Sequence, residues 1–592
     1  MPQSAFLNVE NSATGRRWIG PSLDSERLGL AISQTTGFPP VLGQILANRN
    51  VQPEDAAAYL TPSLRELMPD PSSLIDMDKA AARFLQAVDQ KQRIAIFADY
   101  DVDGGSSAAL LIVWLRERGL NATLYIPDRI DEGYGPNDEA MAMLGRDHDL
   151  IVTVDCGTLS HEPIAAAGID VIVLDHHLGG ETLPPAVAVV NPNRQDETGD
   201  LTYLCAAAVV FLMLAALNRL LRLRGETGPD LIAMLDLVAL ATVADVAPLV
   251  GFNRALVRQG LAVMANRQRV GIVALSDIAR MNSAPSAYHL GFLLGPRINA
   301  GGRVGAADLG ARLLATSDEA EATALAERLD ALNSERREIE ASVLVQATKQ
   351  AEERGVTSGL VWAAADGWHP GVVGIVASRL KEAFNRPAVV IGIDGPEGKG
   401  SGRSINGVDL GNAIATCTRE GLLVKGGGHK MAAGLTVLTD KLDAAMARLT
   451  ELLEKQGSAN VGPSDLRIDS LISPSGANVE LIEKLEQAGP FGASSPAPRF
   501  ALASTRISFA KRAGDTHLRL TLTDGGGVKL DAIAFRAFES DLGPMLENHG
   551  GQSFHFAGRL EVRSEEHTSE LQSRRNLVCR LLLQTKKHPP PP

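Results

Sequence analysis

Cysteine is scarce: Cys156, Cys205, Cys417 and Cys579 are the only four in 592 residues. They lack the paired spacing of a thiolate metal site and the density of a disulfide framework. A zinc ribbon and a disulfide-stapled scaffold are therefore excluded, and a reducing cytosol is the expected setting. Aromatic residues make up 4% of the chain, too few for a broad stacking surface. A basic surplus is missing as well. The net charge of −13 argues against an extended nucleic-acid face, though not against a local basic groove beside acidic residues. Met1 to Glu10 lacks the basic start and apolar run of a secretion signal, so none is expected. The most apolar run, Leu204 to Leu217, is too short to cross a bilayer. The next one is broken by Asp236 and Asp245, and both read as buried helices. No Walker-type glycine–lysine loop is present.

What is present is long and alternating. A chain of this length needs several cores, three or four domains in all. Short apolar runs at 94–97, 122–126, 150–154, 171–174 and 187–190 alternate with helical stretches. That pattern predicts a parallel α/β sheet covered on both faces. Residues 206–314 read as mainly helical. A long helix is expected from 316 to 353, with Leu325, Leu329, Leu332, Ile339 and Val343 on one face and a capping box from Thr316 to Glu319. A second, smaller α/β segment follows, and period-two segments at 518–523, 528–535 and 554–560 predict a small β-barrel. The boundaries are an N-terminal extension (1–75), a first α/β domain (76–315), a connecting helix (316–353), a second α/β domain (354–456), a barrel (457–562) and a tail (563–592). The tail is polar to Arg575, ends on four prolines and resembles translated adapter sequence, so it is expected to be foreign to the fold.

The chemistry gathers at strand ends. Asp99-Tyr-Asp-Val-Asp-Gly104 leaves the first strand, Asp155-Cys-Gly157 the third, and Asp175-His-His177 the fourth. In open α/β sheets this edge is where ligands bind. Asp245 ends an apolar helical run. Each fragment alone has an ordinary explanation: a strand-end Asp caps a helix, a His-His pair is commonly structural, and alternating Asp suggests a calcium loop, though its twelve-residue spacing and final Glu are absent. Three strand ends with acids or histidines are harder to dismiss. Converging carboxylates repel unless cations neutralise them, and carboxylates with an imidazole suit Mn²⁺ or Mg²⁺ better than zinc.

In order and separation these four motifs resemble those of the DHH phosphoesterases. The resemblance implies two Mn²⁺ or Mg²⁺ ions: Asp101 and Asp99 on one, Asp103, His176 and Asp245 on the other, and Asp155 bridging. It also implies that His177 faces the scissile phosphate while Asp175 orients the histidines. The implied reaction is in-line phosphodiester hydrolysis. Further stretches are similar to the RecJ-type exonuclease branch. They are Tyr125-Ile-Pro-Asp-Arg-Ile-Asp-Glu-Gly-Tyr-Gly135, Gly295-Pro-Arg-Ile-Asn-Ala-Gly-Gly-Arg303, Trp368-His-Pro-Gly-Val-Val-Gly-Ile-Val-Ala-Ser-Arg379, Lys399-Gly-Ser-Gly-Arg-Ser404 and Lys425-Gly-Gly-Gly-His-Lys430.

By that resemblance the two α/β segments are a DHH catalytic domain and a DHHA1 substrate-binding domain, and the barrel is an OB-fold. Arg129, Arg303, Ser401 and Arg403 would grip the DNA backbone and its 5′ phosphate. Arg297, Asn299, His369, Gly427, Gly428 and His429 are substrate-side candidates. Pro490-Phe-Gly-Ala-Ser-Ser-Pro-Ala-Pro-Arg-Phe500 and Thr516-His-Leu-Arg519 match the barrel, with Ser494-Ser495 where the family has Gly-Asn. The implied activity is 5′ to 3′ hydrolysis of single-stranded DNA to mononucleotides in repair and recombination. Single-strand-binding protein and a RecQ-type helicase are the implied partners. A narrow groove admits one strand and not a duplex, and backbone contacts are expected to outweigh stacking. A phosphodiesterase for short oligonucleotides or cyclic dinucleotides lacks the barrel. A scaffold would have lost ligands, and a manganese pyrophosphatase expects histidine at Phe97.

Overall fold

The computed structural model describes residues 4–128, 132–133, 135–356, 358–460, 465–564 and 575–581. The chain divides into two compact units, Leu64–Gly462 and Met1–Ser63 with Pro463–Pro592.

Leu64–Gly462 opens on a five-stranded sheet in the order β2 (Ala122–Tyr125), β1 (Ile94–Ala98), β3 (Leu150–Val154), β4 (Val171–Leu174), β5 (Ala188–Val190). All pairings are parallel. Every residue of β1, β3, β4 and β5 is buried, which is why these strands read as unbroken apolar runs rather than alternating ones. Helices α1 (Val102–Glu117) and α2 (Ala206–Leu223) lie in the same core as the strands, where Phe84 meets Trp114 edge-on at 5.9 Å. Helix α2 corrects the expected length of that apolar stretch. It spans 18 residues, enough to cross a bilayer, but two thirds of it is buried in the core.

Register does the positioning. Ala98 pairs with Val154, Val154 with Leu174, and Leu174 with Val190. The residue after each strand therefore falls beside the residue after its neighbour, so Asp99, Asp155 and Asp175 form one row. Their backbone amides extend the ladder to the oxygens of Val154, Leu174 and Val190.

Helices α3 (Leu235–Ala244) and α4 (Gly295–Val304) follow, then α5 (Glu319–Arg354). The N-cap of α5 is Asp318, whose side chain accepts from the Glu321 amide, rather than the expected Thr316. Thr316 instead donates its hydroxyl to the Glu321 carboxylate. An Asp oxygen at the cap also meets the positive helix end, which a neutral hydroxyl cannot match. Beyond α5 stands a mixed sheet, ordered β9 (Lys425–Gly428), β10 (Ala432–Leu438), β8 (Glu397–Arg403), β7 (Ala388–Asp394), β6 (Val361–Asp366), with helix α6 (Pro370–Phe384) against it.

The second unit is built around antiparallel strands β12 (Phe500–Ala513), β13 (His517–Thr523), β14 (Lys529–Ala534) and β15 (Ser553–Ser564). A two-residue strand, β11 (Ser470–Leu471), pairs with β12 in parallel. Leu518, Leu520 and Leu522 point inward with Leu530, Ala532 and Ala534, the expected alternation. The tail does not stay outside the sheet. Arg575–Leu581 forms β16, antiparallel to β15 and parallel to β14. An unpaired edge offers its backbone groups to any extended segment. The N-terminal extension, left without a role by its sequence, joins the same unit as far as Ser63, while its remainder belongs to Leu64–Gly462. Trp18–Ile19 pairs with Leu466–Arg467, and Ile32, Leu42, Ile45 and Leu46 share a core with Phe500, Phe554 and Phe556.

Candidate metal centre

Asp101 is the N-cap of α1. Its carboxylate accepts from the amides of Asp103 and Gly104 at 2.8 and 3.1 Å. Asp103, two residues on, is 1% exposed and points across to the start of α2, accepting from the Ala206 and Ala207 amides at 2.7 and 2.8 Å. An anion at a helix N-terminus is favoured by the unpaired amides and the helix dipole. Gly104 leaves no room for a side chain, because a Cβ there would lie 2.3 Å from the Asp99 carbonyl oxygen. Gly104→Ala must therefore displace the Asp99 backbone. We expect a loss of roughly 3 kcal/mol or more in urea unfolding, together with weakened Mn²⁺ binding. Wild-type values for both would disprove the packing.

The side chains converge as three overlapping groups: Asp99, Asp101 and Asp155; Asp155, His176 and His177; Asp103, His176 and Asp245. Within each group the ligand atoms lie within 4.8 Å of one another. His176 Nε2 is 3.2 Å from Asp155 and 3.8 Å from Asp103, while its Nδ1 is 3.9 Å from Asp245. Asp155 has φ +60, a left-handed backbone that Asp tolerates better than most residues.

Electrostatics fit a cation. Burial, then the neighbouring carboxylates, raise Asp155 well above the usual range. Burial raises Asp103 too, against the opposing pull of His176. Asp245 is lifted to about 8 by burial and by Asp103 and Asp101. Oxygen donors crowded until they resist ionisation form a site that divalent charge would relieve. One imidazole among five carboxylates suits Mn²⁺ or Mg²⁺.

Asp175 behaves oppositely. Burial would raise it, but His177 and Thr158 hold it well below the usual carboxylate range. Its Oδ1 accepts from His177 Nδ1 at 2.8 Å and from the His176 and His177 amides. Burial would depress His177, yet the bond and charge of Asp175, with Asp99 and Asp245, lift it to about 9. Sequence reasoning missed the frame behind this pair. Thr158 donates twice to Asp175. Asn191 holds Thr158 and the His177 carbonyl, and Asn193 holds the His176 carbonyl. Asn191 directly follows β5 and Asn193 comes two residues later, and that strand-end place was the available signal.

Two substrate-side candidates face inward instead. Arg297 pairs with Asp330 of α5 at 2.8 Å and with the Leu293 carbonyl. Asn299 accepts from the Val102 amide at 3.0 Å, steadying the first turn of α1. Arg303, His369, Ser401 and Arg403 lie by α6. Arg303 donates to the Gly371 carbonyl at 3.1 Å, and His369 is the N-cap, accepting from the Gly371 amide. Arg403 bonds Ser401 at 2.9 Å, and a Cβ on Gly374 would lie about 3 Å from both side chains. Gly427 and Gly428 end β9, and exposed His429 begins the turn into β10, where Ala432 pairs with Arg403. Arg129 lies outside the described residues.

Family models match in chain order: the DHH family N-terminal domain over residues 93–242, the DHHA1 domain over 356–455 and the RecJ OB domain over 468–575. A single-stranded-DNA-specific exonuclease RecJ from Dickeya dadantii (strain 3937) is 40% identical over 522 residues, 84% of this chain and 89% of that protein. RecJ of Thermus thermophilus in complex with Mn²⁺ superposes with a TM-score of 0.79 at 29% identity, covering 97% of this chain and 80% of that one. Its complex with Mg²⁺ gives 0.74 at 28% identity, covering 97% and 79%.

Proposed function

Since the chain belongs to the RecJ family, we propose that its acidic centre hydrolyses single-stranded DNA from the 5′ end, releasing mononucleotides. The protein is a metal-dependent single-stranded-DNA-specific exonuclease, and Mn²⁺ or Mg²⁺ is its cofactor. The observation that carries the proposal is the convergence of Asp99, Asp101, Asp103, Asp155, His176 and Asp245 at adjoining strand and helix ends. Two divalent ions bound there supply positive charge to the reacting phosphate and lower the pKa of the attacking water.

The chain's own residues do the rest. Asp99 and Asp101 would hold one ion, Asp103, His176 and Asp245 the other, and Asp155 would serve both. Asp175 fixes the His177 ring through Nδ1, so Nε2 is the atom available to the phosphate. Without cations the ring is raised to about 9, and in its cationic form the Nε2 proton would stabilise charge gathering on a non-bridging oxygen. Arg303, Ser401 and Arg403, with Arg129, grip the terminal phosphate as charge-assisted donors. His369, Gly427, Gly428 and His429 line the approach. Arg297 and Asn299 hold α4 and α1 in place and stand on the substrate side. A role in repair and recombination in the cytoplasm, beside single-strand-binding protein and a RecQ-type helicase, completes the proposal.

An oligonucleotide of several tens of residues, labelled at either end and incubated with Mn²⁺, tests the polarity. Immediate release of the 5′ label as a mononucleotide, with gradual shortening of the 3′-labelled strand, is expected. The reverse order overturns the polarity. Cleavage confined to dinucleotides overturns the substrate.

A further inference from the structure

Tyr288 and Phe292 are 57% and 73% exposed, although large aromatic side chains usually find cover. Their rings stack on each other, with centroids 5.3 Å apart and planes at 24°. Tyr288 caps and Phe292 lies within a π-helical turn, His289–Leu294, that runs directly into α4. Such turns are uncommon and recur at functional sites. The turn is anchored by His289, whose Nδ1 accepts from the Ser286 amide at 3.1 Å.

Its backbone is pressed against the last turn of α3. A Cβ on Gly291 would lie 3.3 Å from Val243, and one on Gly295 would lie 3.3 Å from Ala244. The next residue, Asp245, belongs to the metal centre. Val246 after it is 69% exposed with φ +60, a costly conformation for a β-branched residue. Val246 thus stands in solvent next to one carboxylate of the centre, and the exposed rings belong to the turn packed on the helix that ends there.

We propose that Tyr288 and Phe292 form a stacking platform for a nucleobase of the strand whose phosphate lies at the carboxylates. This rests on the exonuclease reading above. The paired rings leave an outer face on which a base adds a further layer. Stacking accepts every base, in keeping with phosphate contacts that carry no sequence information. The platform supplies local stacking where a 4% aromatic content offered no broad surface for it.

The test compares Tyr288→Ala, Phe292→Ala and the double variant with the wild type on two strands in Mn²⁺. One is an ordinary oligonucleotide, and the other carries stable abasic sites throughout its first residues. On the ordinary strand kcat/KM should fall roughly five- to hundred-fold, mainly through KM. On the abasic strand the variants should match the wild type, and Phe292→Trp should restore the ordinary one. Equal losses on both strands would assign the rings a purely structural role and overturn the platform, as would variants that cleave both strands normally. A wild type that cleaves neither strand would instead defeat the exonuclease reading on which the platform stands.

Discussion

Asp155→Asn will lose at least about a thousand-fold in hydrolysis of single-stranded DNA with Mn²⁺, and in chelator at pH 8 it will melt at a higher temperature than the wild type. The two effects share a cause. Asp155 is 2% exposed and surrounded by Asp99, Asp101, Asp103 and Asp245. Its carboxylate serves bound cations and burdens the fold that lacks them. Asparagine keeps the shape, tolerates φ +60 and removes the charge. Alanine would add a strain of its own there. Activity and a melting curve in EDTA decide the matter. More than a tenth of wild-type activity would remove Asp155 from the centre. A lower melting temperature would mean that its charge stabilises the chelated fold.

The second large effect is on pH. Mn²⁺ must displace protons from carboxylates whose pKa values are raised, so affinity should climb with pH and level off above about 8, where Asp245 ionises. Each displaced proton contributes about tenfold per pH unit, and three raised groups make the slope steep. Stability of the chelated protein runs the other way. A carboxyl raised in the folded state stabilises it fully at pH values below its unfolded pKa, near 4. That contribution is lost as pH rises through the folded value. The chelated protein should therefore weaken between pH 5 and 9 while added Mn²⁺ protects it increasingly. Calorimetric titrations with Mn²⁺ across this range are the measurement. A pH-independent affinity would show that the carboxylates are already ionised without the metal.

The acidic centre was legible because its geometry is local. A strand of apolar residues followed at once by Asp99, Asp155 or Asp175 announces both element and site, and parallel register aligns the three. The bonds that Arg297 and Asn299 make within the chain were not legible, because sequence shows a charged or amide side chain but not its partner. Asp330 and the Val102 amide lie 33 and 197 residues away. Thr158 was invisible for the same reason, since its role exists only through Asp175. The cap of α5 shows a finer limit: Thr316 and Asp318 are both good caps two residues apart, and the backbone decides between them.

The second unit is made from both ends of the chain, with Leu64–Gly462 in between. During synthesis, Trp18, Ile32, Leu42 and Ile45 leave the ribosome first, yet the strands that cover them come roughly 400 residues later. At about 5–20 residues per second that is a delay of tens of seconds. The nascent amino-terminal helices must therefore stay soluble while their partners are still being translated, which makes them natural clients for a chaperone. The nuclease core can close while the barrel is still unmade.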